Sequence, residues 1–403
     1  MRRISDFKIK ASYATVGNRL AGFPYLSTYG VSPYGNVGAL SVAQIGNPNL
    51  QWERGKKLDI GVELGLFKNR IFFTADYFKN TLDNLVLNVP TPFSAGIPGN
   101  SIPQNVGKAE NKGIELSLDA TVAKCKDFEW NLNVNYTHVK NEITELYTLG
   151  NTPTTQLFPS NYNINRVGES INSIFGYEFA GVNSGNGNPV YYNAGGQLVQ
   201  RNIQNGTYYF ANSMSDPTLG GQTSLTVNDK KILGSAQPTY YGAFTNTFTY
   251  KHVSLEVMFR YGGGNKIMNI TRQEVLLNQK FANNGTEILN RWTTPGQITD
   301  VPKLWYNLEA SINQNGEAIS RFVEKGDFLR LQNVVLSYSL DDKKLQSRTN
   351  NVIRSARVFV QAQNVAVWTK YRGIDPEAFS EGGLDNNTAP QVRTISAGIS
   401  IGL

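Results

Sequence analysis

Long stretches in which apolar and polar residues alternate strictly place the tightest limit on what this sequence can fold into. One such stretch has apolar residues at every second position: Leu58, Ile60, Val62, Leu64 and Leu66. Aspartate, glutamate or glycine occupies the positions between them. Because successive side chains of a β-strand point to opposite faces, the pattern predicts a strand with one apolar and one polar face.

The length of these stretches separates the possible β folds. Strands of water-soluble sheets average about five or six residues, whereas tilted membrane-spanning strands need about nine to eleven. The alternating stretches here run to ten residues or more and recur. They predict an all-β chain, a transmembrane antiparallel β-barrel, with strands near 6–16, 56–66, 69–79, 112–123, 127–139, 238–250, 253–263, 326–340, 354–367 and 391–402.

The predicted connections fall into two length classes. Short turns are expected at 67–68, 124–126 and 251–252. Long loops, expected to be extracellular, are predicted near 17–55, 80–111, 140–237, 264–325 and 368–390. Short turns on one side and long loops on the other are typical of outer-membrane barrels.

The direction of the strands constrains the long middle segment. The segment 140–237 must hold zero or two further spans, which gives ten or twelve in all. A helical patch is expected within 271–292, in an outer loop.

Composition agrees with a barrel and excludes several function classes. The mean hydropathy is −0.33, yet the 403 residues include 20 Phe, 20 Tyr and 5 Trp. The net charge of +7 comes from scattered lysines and arginines, which argues against a nucleic-acid-binding surface. The single cysteine, Cys125, rules out an internal disulfide and argues against a cysteine metal site.

The sequence shows no enzyme motif. His138 and His252 lie at strand ends or turns, and no catalytic triad, zinc spacing or phosphate-binding loop is present. We therefore expect no catalytic residues, no metal and no cofactor.

The sequence does not decide whether this chain is exported from the cytoplasm. No apolar run is long enough for a membrane-spanning helix. The start, residues 1–6, is basic but has no apolar core behind it and does not resemble a signal peptide. Either the chain stays in the cytoplasm, or it is a piece of something longer.

An ordered series of short motifs runs along nearly the whole chain. The two clearest are the Asn-Pro-Asn-Leu-Gln-Trp-Glu stretch 47–53 and the Asn-Val-Gly…Asn-Lys-Gly-Ile-Glu stretch 105–115. Others follow at 237–246, 291–292, 300–302, 326–331, 363–365 and 371–377. In this order they resemble the SusC/RagA family of TonB-linked outer-membrane importers.

The resemblance implies a fold and a role. The family's members are barrels of about twenty-two strands with an N-terminal plug, and residues 1–403 resemble the C-terminal part of such a barrel, without the plug. The resemblance implies uptake of oligosaccharides or peptides across the outer membrane. It also implies a SusD-like lipoprotein as partner, and energy from the TonB complex through the missing N-terminal part. One departure is Leu403, where such barrels usually end in an aromatic residue.

Two groups of residues are candidates for substrate contact. If the apolar faces meet lipid, polar residues line the interior, among them Asn131, Asn133, Asn135, Arg330 and Gln332. Loop aromatics are candidates for stacking on sugar rings: Tyr191, Tyr192, Tyr208, Tyr209 and Phe210. Three alternatives remain open at this point: a truncated fragment that transports nothing, a small passive porin-like barrel, and a soluble β-rich glycan-binding protein.

Overall fold

The computed structural model describes residues 4–20, 22–35, 37–149, 152–153, 156–277, 283–305, 316–340, 343–350 and 352–402. The chain divides into two compact units. The first unit comprises Met1–Ala123, Asn131–Leu157 and Asn165–Ser170. The second unit comprises Lys124–Trp130, Phe158–Ile164 and Ile171–Leu403.

Long antiparallel strands make up most of the first unit. Its strands are β1 (Ile4–Asn18), β2 (Thr28–Tyr34), β3 (Val37–Gln44), β4 (Glu53–Leu66), β5 (Ile71–Pro90), β6 (Ser101–Lys124), β7 (Phe128–Glu145), β8 (Thr148–Leu149), β9 (Thr152–Pro153) and β10 (Gln156–Leu157). The strands β1, β4, β5, β6 and β7 are hydrogen-bonded neighbours in that order, while β2 and β3 form a separate hairpin. The last residue of β6 and the first three residues of β7 fall in the second unit. Two short 3₁₀ turns, Phe93–Ala95 and Pro98–Asn100, connect β5 to β6.

The second unit combines long strands with many short ones. After β11 (Asn163–Arg166), which the two units share, its strands are β12 (Ser173–Tyr177), β13 (Phe179–Val182), β14 (Pro189–Tyr192), β15 (Leu198–Arg201), β16 (Tyr208–Phe210), β17 (Gln222–Thr223), β18 (Lys231–Gly234), β19 (Tyr240–Tyr250), β20 (Val253–Gly263), β21 (Lys266–Asn269), β22 (Ala318–Ile319), β23 (Val323–Lys325), β24 (Phe328–Leu340), β25 (Ser355–Thr369), β26 (Leu384–Asp385) and β27 (Thr394–Gly402). We call β19, β20, β24, β25 and β27, which pair antiparallel in that order, the wall strands.

Helical structure is sparse in the described residues. Besides the two turns between β5 and β6, it consists of 3₁₀ turns at Val227–Asp229, Thr286–Asn290 and Ser320–Phe322, one π-helical segment at Thr271–Leu276, and α1 at Lys343–Arg348. None of the described helices is long and apolar enough to cross a membrane.

The buried apolar cluster of the second unit lies among its short strands. It joins residues of β12, β14, β21 and β22 with neighbouring loop residues. We call this cluster the loop core: Ile174, Tyr177, Tyr191, Met268, Ile270, Leu277, Ala318, Ile319 and Phe322.

The long-strand prediction is confirmed, with changes in its bounds. Each of the ten predicted segments coincides with a strand of nine residues or more. No described strand between 140 and 237 exceeds five residues, apart from the end of β7, so this segment adds no further long span. Where the structure describes the patch expected at 271–292, it is helical only in the π-helical segment and one 3₁₀ turn, and residues 278–282 of this patch lie outside the described residues.

The predicted loop over 80–111 is wrong in its bounds, because strand pairing continues through most of it. The β5–β6 ladder extends to the pair Pro90–Ser101. The ladder is interrupted by a bulge between Leu82 and Val86, where Asn84 has a φ of 60°. Asparagine tolerates this left-handed conformation better than most residues, so the bulge does not end the strand.

One motif glycine is required by close backbone approach in the first unit. A Cβ atom at Gly113 would overlap the carbonyl oxygen of His138 and approach the ring of Phe78. The Asn-Lys-Gly motif of β6 therefore marks a crowded position in the sheet.

Candidate functional site

The long strands of the first unit have one apolar and one hydrogen-bonded polar face. On the polar face, Asn133 donates from Nδ2 to Oδ1 of Asp119 at 2.5 Å. On the same face, the Thr121 hydroxyl donates to Oδ1 of Asn131 at 2.9 Å. Asn135 follows two residues after Asn133 and is exposed. The predicted polar residues of β7 thus share one face.

The wall strands of the second unit show the same division. Gln361 on β25 donates to Oδ1 of Asn333 on β24 at 2.8 Å, and Asn333 lies 3.4 Å from Oε1 of Glu256 on β20. This row of polar side chains crosses three strands. Gln332 donates to Oδ1 of Asn364 at 3.1 Å, beside the bulge that interrupts the β24–β25 ladder.

Arg330 lies at the end of this polar face and is only 3% exposed. Its Nε donates to Glu377 at 2.7 Å and an Nη donates to Asp375 at 2.5 Å. Arg260, directly opposite on β20, also pairs with Glu377. The Asp375 carboxylate in turn accepts the backbone N–H of Glu377 at 3.0 Å. Two arginines of the wall strands therefore hold the turn 375–377 by charge-assisted hydrogen bonds.

A second ionic cluster lies beside the loop core. Arg272, 3% exposed, donates from Nε to Glu287 at 2.8 Å and lies 3.3 Å from Glu324. Burial raises the pKa of Glu287, but the hydrogen bond and charge of Arg272 outweigh it and hold that pKa below its ordinary value. Burial lowers the pKa of Arg321, in the same cluster, to about 10. These charges stabilise the fold around the loop core.

The predicted loop aromatics do not share one environment. Tyr191 is 1% exposed and packs edge-on against Phe179 with ring centroids 5.7 Å apart, so its ring contacts the loop core and not solvent. Tyr208 is half-buried beneath the guanidinium of Arg201, 5.1 Å from its ring centre. The Tyr209 hydroxyl accepts a hydrogen bond from Asn205 at 3.2 Å.

Tyr192 and Phe210 complete this group. Both are half-buried, and both keep their strands paired through backbone hydrogen bonds, to Glu178 and to Gly221. Adjacent pairing of β14, β15 and β16 brings the five aromatics into one small sheet. Their role in substrate binding stays a prediction.

Several motifs that are far apart in sequence meet in the second unit. Arg330 of the 326–331 motif contacts Asp375 and Glu377 of the 371–377 motif. Asp327 accepts the backbone N–H of Gly264 at 2.8 Å, and Trp292 donates its backbone N–H to Val301 at 2.9 Å. The sequence did not reveal Arg260, Asp375 and Glu377 as neighbours of Arg330. The charge complementarity of the two motifs was the available signal.

The described residues hold no group of three or more His, Cys, Asp or Glu side chains arranged to bind a metal ion.

Known proteins resemble this chain along its entire length. A family model described as "TonB dependent receptor-like, beta-barrel" matches residues 3–168. The TonB-dependent receptor P3 of Formosa agariphila is 30% identical over 420 residues, covering 99% of this chain and 39% of the relative. The TonB-dependent receptor SusC of Bacteroides thetaiotaomicron is 26% identical, with 99% and 38% covered.

Solved structures of similar proteins match the fold of this chain. The structure of the RagAB peptide transporter matches with a TM-score of 0.82 and 29% identity, covering 100% of this chain and 41% of the other. The RagAB peptide importer in its "open-open" state matches with a TM-score of 0.78 and 28% identity. The chain thus spans about two fifths of the length of the relatives it matches. The all-β barrel fold and the SusC/RagA resemblance read from the sequence are confirmed.

Proposed function

We propose that this chain, which carries strands of a TonB-dependent receptor β-barrel similar to those of the SusC/RagA type, forms part of the wall of an outer-membrane nutrient importer. The transported compounds are oligosaccharides or peptides. A SusD-like surface lipoprotein assists at the outer face, and the TonB complex supplies energy through a part of the importer outside this chain. The whole assembly resides in the outer membrane, and neither catalysis nor nucleic-acid binding belongs to its role.

The observation that carries the proposal is the two-sided chemistry of the long strands. On β27, Ile395, Ile399 and Ile401 are 72%, 70% and 56% exposed. The alternate positions of the wall strands carry the hydrogen-bonded row from Glu256 to Gln361. In water such a long apolar face is an aggregation liability, whereas in lipid it is the expected outer surface of a barrel.

The proposed substrate contacts come from the loop aromatics and from the polar faces of the long strands. Tyr192, Tyr208, Tyr209 and Phe210, together with Asn133 and Asn135 on the polar faces, are the proposed contact residues. Because Arg330 is held by Asp375 and Glu377, we expect it to position the turn 375–377 for the substrate. Tyr191, buried in the same small sheet, is proposed to support it.

Growth measurements test the proposal. A strain without the gene, grown on neutral oligosaccharides or on peptides as sole carbon source, should regain growth when the gene is returned. A protonophore should stop uptake by an energised importer within minutes, but should leave diffusion through a passive porin-like barrel unchanged. If returning the gene restores growth on neither substrate class, the import role is wrong.

A further inference from the structure

An amide-rich cleft of about 550 Å³ lies in the first unit. One side is the loop that begins at Gly46 and leads into β4. The other side is the β5–β6 hairpin near Asn84 and Gln104. Its volume lies within the range of about 300–1,000 Å³ that is usual for small-molecule sites.

The cleft exists because Asn105 bridges a break in the strand ladder. At the bulge, Nδ2 of Asn105 donates to the carbonyl oxygens of Asn84 and Gln51, each at 2.8 Å. Its Oδ1 accepts the backbone N–H of Gln51 at 2.7 Å. Asn47 adds a bond from Nδ2 to the carbonyl oxygen of Pro103 at 2.9 Å. The walls of the cleft are therefore fixed before any ligand arrives.

Four further side-chain amides in the lining have no hydrogen-bond partner anywhere in the described part of the chain: Asn49, Gln51, Asn84 and Gln104. Each offers two donor hydrogens and one acceptor oxygen. Two come from the loop and two from the hairpin, so they lie on both sides of the cleft. A ligand that met all four would need both donors and acceptors along its length.

No residue that lines the cleft is charged. The carboxylates close to the lining residues in sequence already have partners. Asp83 pairs with Lys56 at 2.6 Å, and Glu53 accepts the backbone N–H of Val86 at 3.1 Å and the side-chain amide of Asn18 at 2.9 Å. A charged ligand would therefore lose its hydration without gaining a counter-charge in the cleft.

We infer that this cleft is a binding site for a neutral, polyhydroxylated ligand, such as a segment of an uncharged oligosaccharide. Hydroxyl groups donate and accept, as the four amides do. A peptide is the less suitable ligand because its repeating amides are usually met by an open strand edge, and here the backbone near the cleft is already held by Asn105 and Asn47. The inference rests on the proposed import role only in naming the substrate class, since binding at the cleft is measurable without transport.

Equilibrium titration of the full chain, purified in detergent, tests the site. The probes are an uncharged glucose hexasaccharide, hexagalacturonic acid as its anionic counterpart, and a capped hexapeptide of alanine and serine. We expect the neutral sugar to bind most tightly. Gln51→Ala and Gln104→Ala should each weaken it by about 3- to 10-fold, the loss expected for one net hydrogen bond.

Asn228→Ala removes an exposed amide in the second unit and is the matched control, for which we expect unchanged affinity. Unchanged melting temperatures of all three variants show that the fold is intact. The inference is overturned if the neutral sugar does not bind, if the cleft variants bind it as the control does, or if the peptide or the acid binds more tightly and loses affinity in the cleft variants.

The two proposals fail in different ways. If returning the gene restores growth but the Gln51 and Gln104 variants bind the sugar as tightly as the unaltered protein, the cleft is not the binding site and the import role is unaffected. If sugar binding depends on Gln51 and Gln104 but returning the gene does not restore growth, the import role is wrong and the cleft remains a binding site.

Discussion

Two regions of the second unit use the same apolar residue types in opposite ways. In the loop core, Ile174 and Phe322 are 0% and 1% exposed. On the wall strands, Val360 and Ile399 are 49% and 70% exposed. Burial away from water stabilises the first group, while the second group gains the same benefit only if lipid covers it. With the wall strands in the outer membrane, as proposed, the two regions would be adapted to different solvents.

The largest effect is expected where a wall strand holds a loop turn. Arg330→Ala leaves the carboxylates of Asp375 and Glu377 buried without this partner, which should cost about 3–5 kcal/mol. Urea unfolding of the protein in detergent measures the loss. Arg357→Ala, an exposed arginine on β25, is the matched control and should change stability by less than about 0.5 kcal/mol. Equal losses in both variants would contradict a role specific to Arg330.

Shortening an apolar side chain should lower the free energy of unfolding much more in the loop core than on the apolar face of the wall strands. Phe322→Ala opens a cavity in the loop core and should lower the free energy of unfolding by about 3 kcal/mol or more. Ile399→Ala, on the apolar face, leaves no cavity inside the protein. We expect its loss to stay well below that of Phe322→Ala in the same urea titration. A larger loss for Ile399→Ala would reverse the comparison.

A charge should distinguish the two faces of a single strand. Ile399→Lys places an ammonium on the apolar face and should cost about 2–4 kcal/mol in a bilayer if it lies near the midplane. Ser400→Lys, one residue further on the opposite face, should cost much less. Folding yield into lipid vesicles, followed by gel mobility without heating, measures both. Equal yields would mean that the two faces meet the same medium.

The smallest effect concerns acid stability near the loop core. Because the pKa of Glu287 is held below its ordinary value near 4.5, its contribution is fully present above that value. That contribution is lost as the pH falls through the lowered folded-state pKa. Glu287→Gln should therefore lose less stability than the unaltered protein between pH 6 and pH 3, by at most about 1 kcal/mol. Unfolding titrations at both pH values check the sign, and a steeper acid loss in the variant would contradict it.

The wall strands were predictable from sequence because their pattern is local. The alternation from Ile395 to Ile401 needs only the period of a β-strand, and β27 follows it. The extension of β5 was not predictable in the same way. The sequence placed Asn84 within a predicted loop over 80–111, and only the cross-strand pairs show that the ladder continues past the bulge.

The loop core and the candidate site were less predictable, since their contacts are distant in sequence. Arg330 meets partners 45 and 47 residues away, a separation that no periodic pattern carries. The strands around the loop core are two to five residues long, too short for alternation to distinguish them from turns. For the same reason Tyr191, expected at a binding surface, could not be recognised as buried.

Site-directed spin labelling along β27 tests the central claim most directly. Single cysteines from Ile395 to Ile401, in a Cys125→Ser background, are labelled after reconstitution into bilayers, and collision with oxygen and with a water-soluble nickel complex is measured. We predict a period of two, with odd-numbered positions accessible to oxygen in the lipid and even-numbered positions accessible to the nickel complex. Uniform access of the nickel complex to all seven positions would contradict a lipid-facing wall.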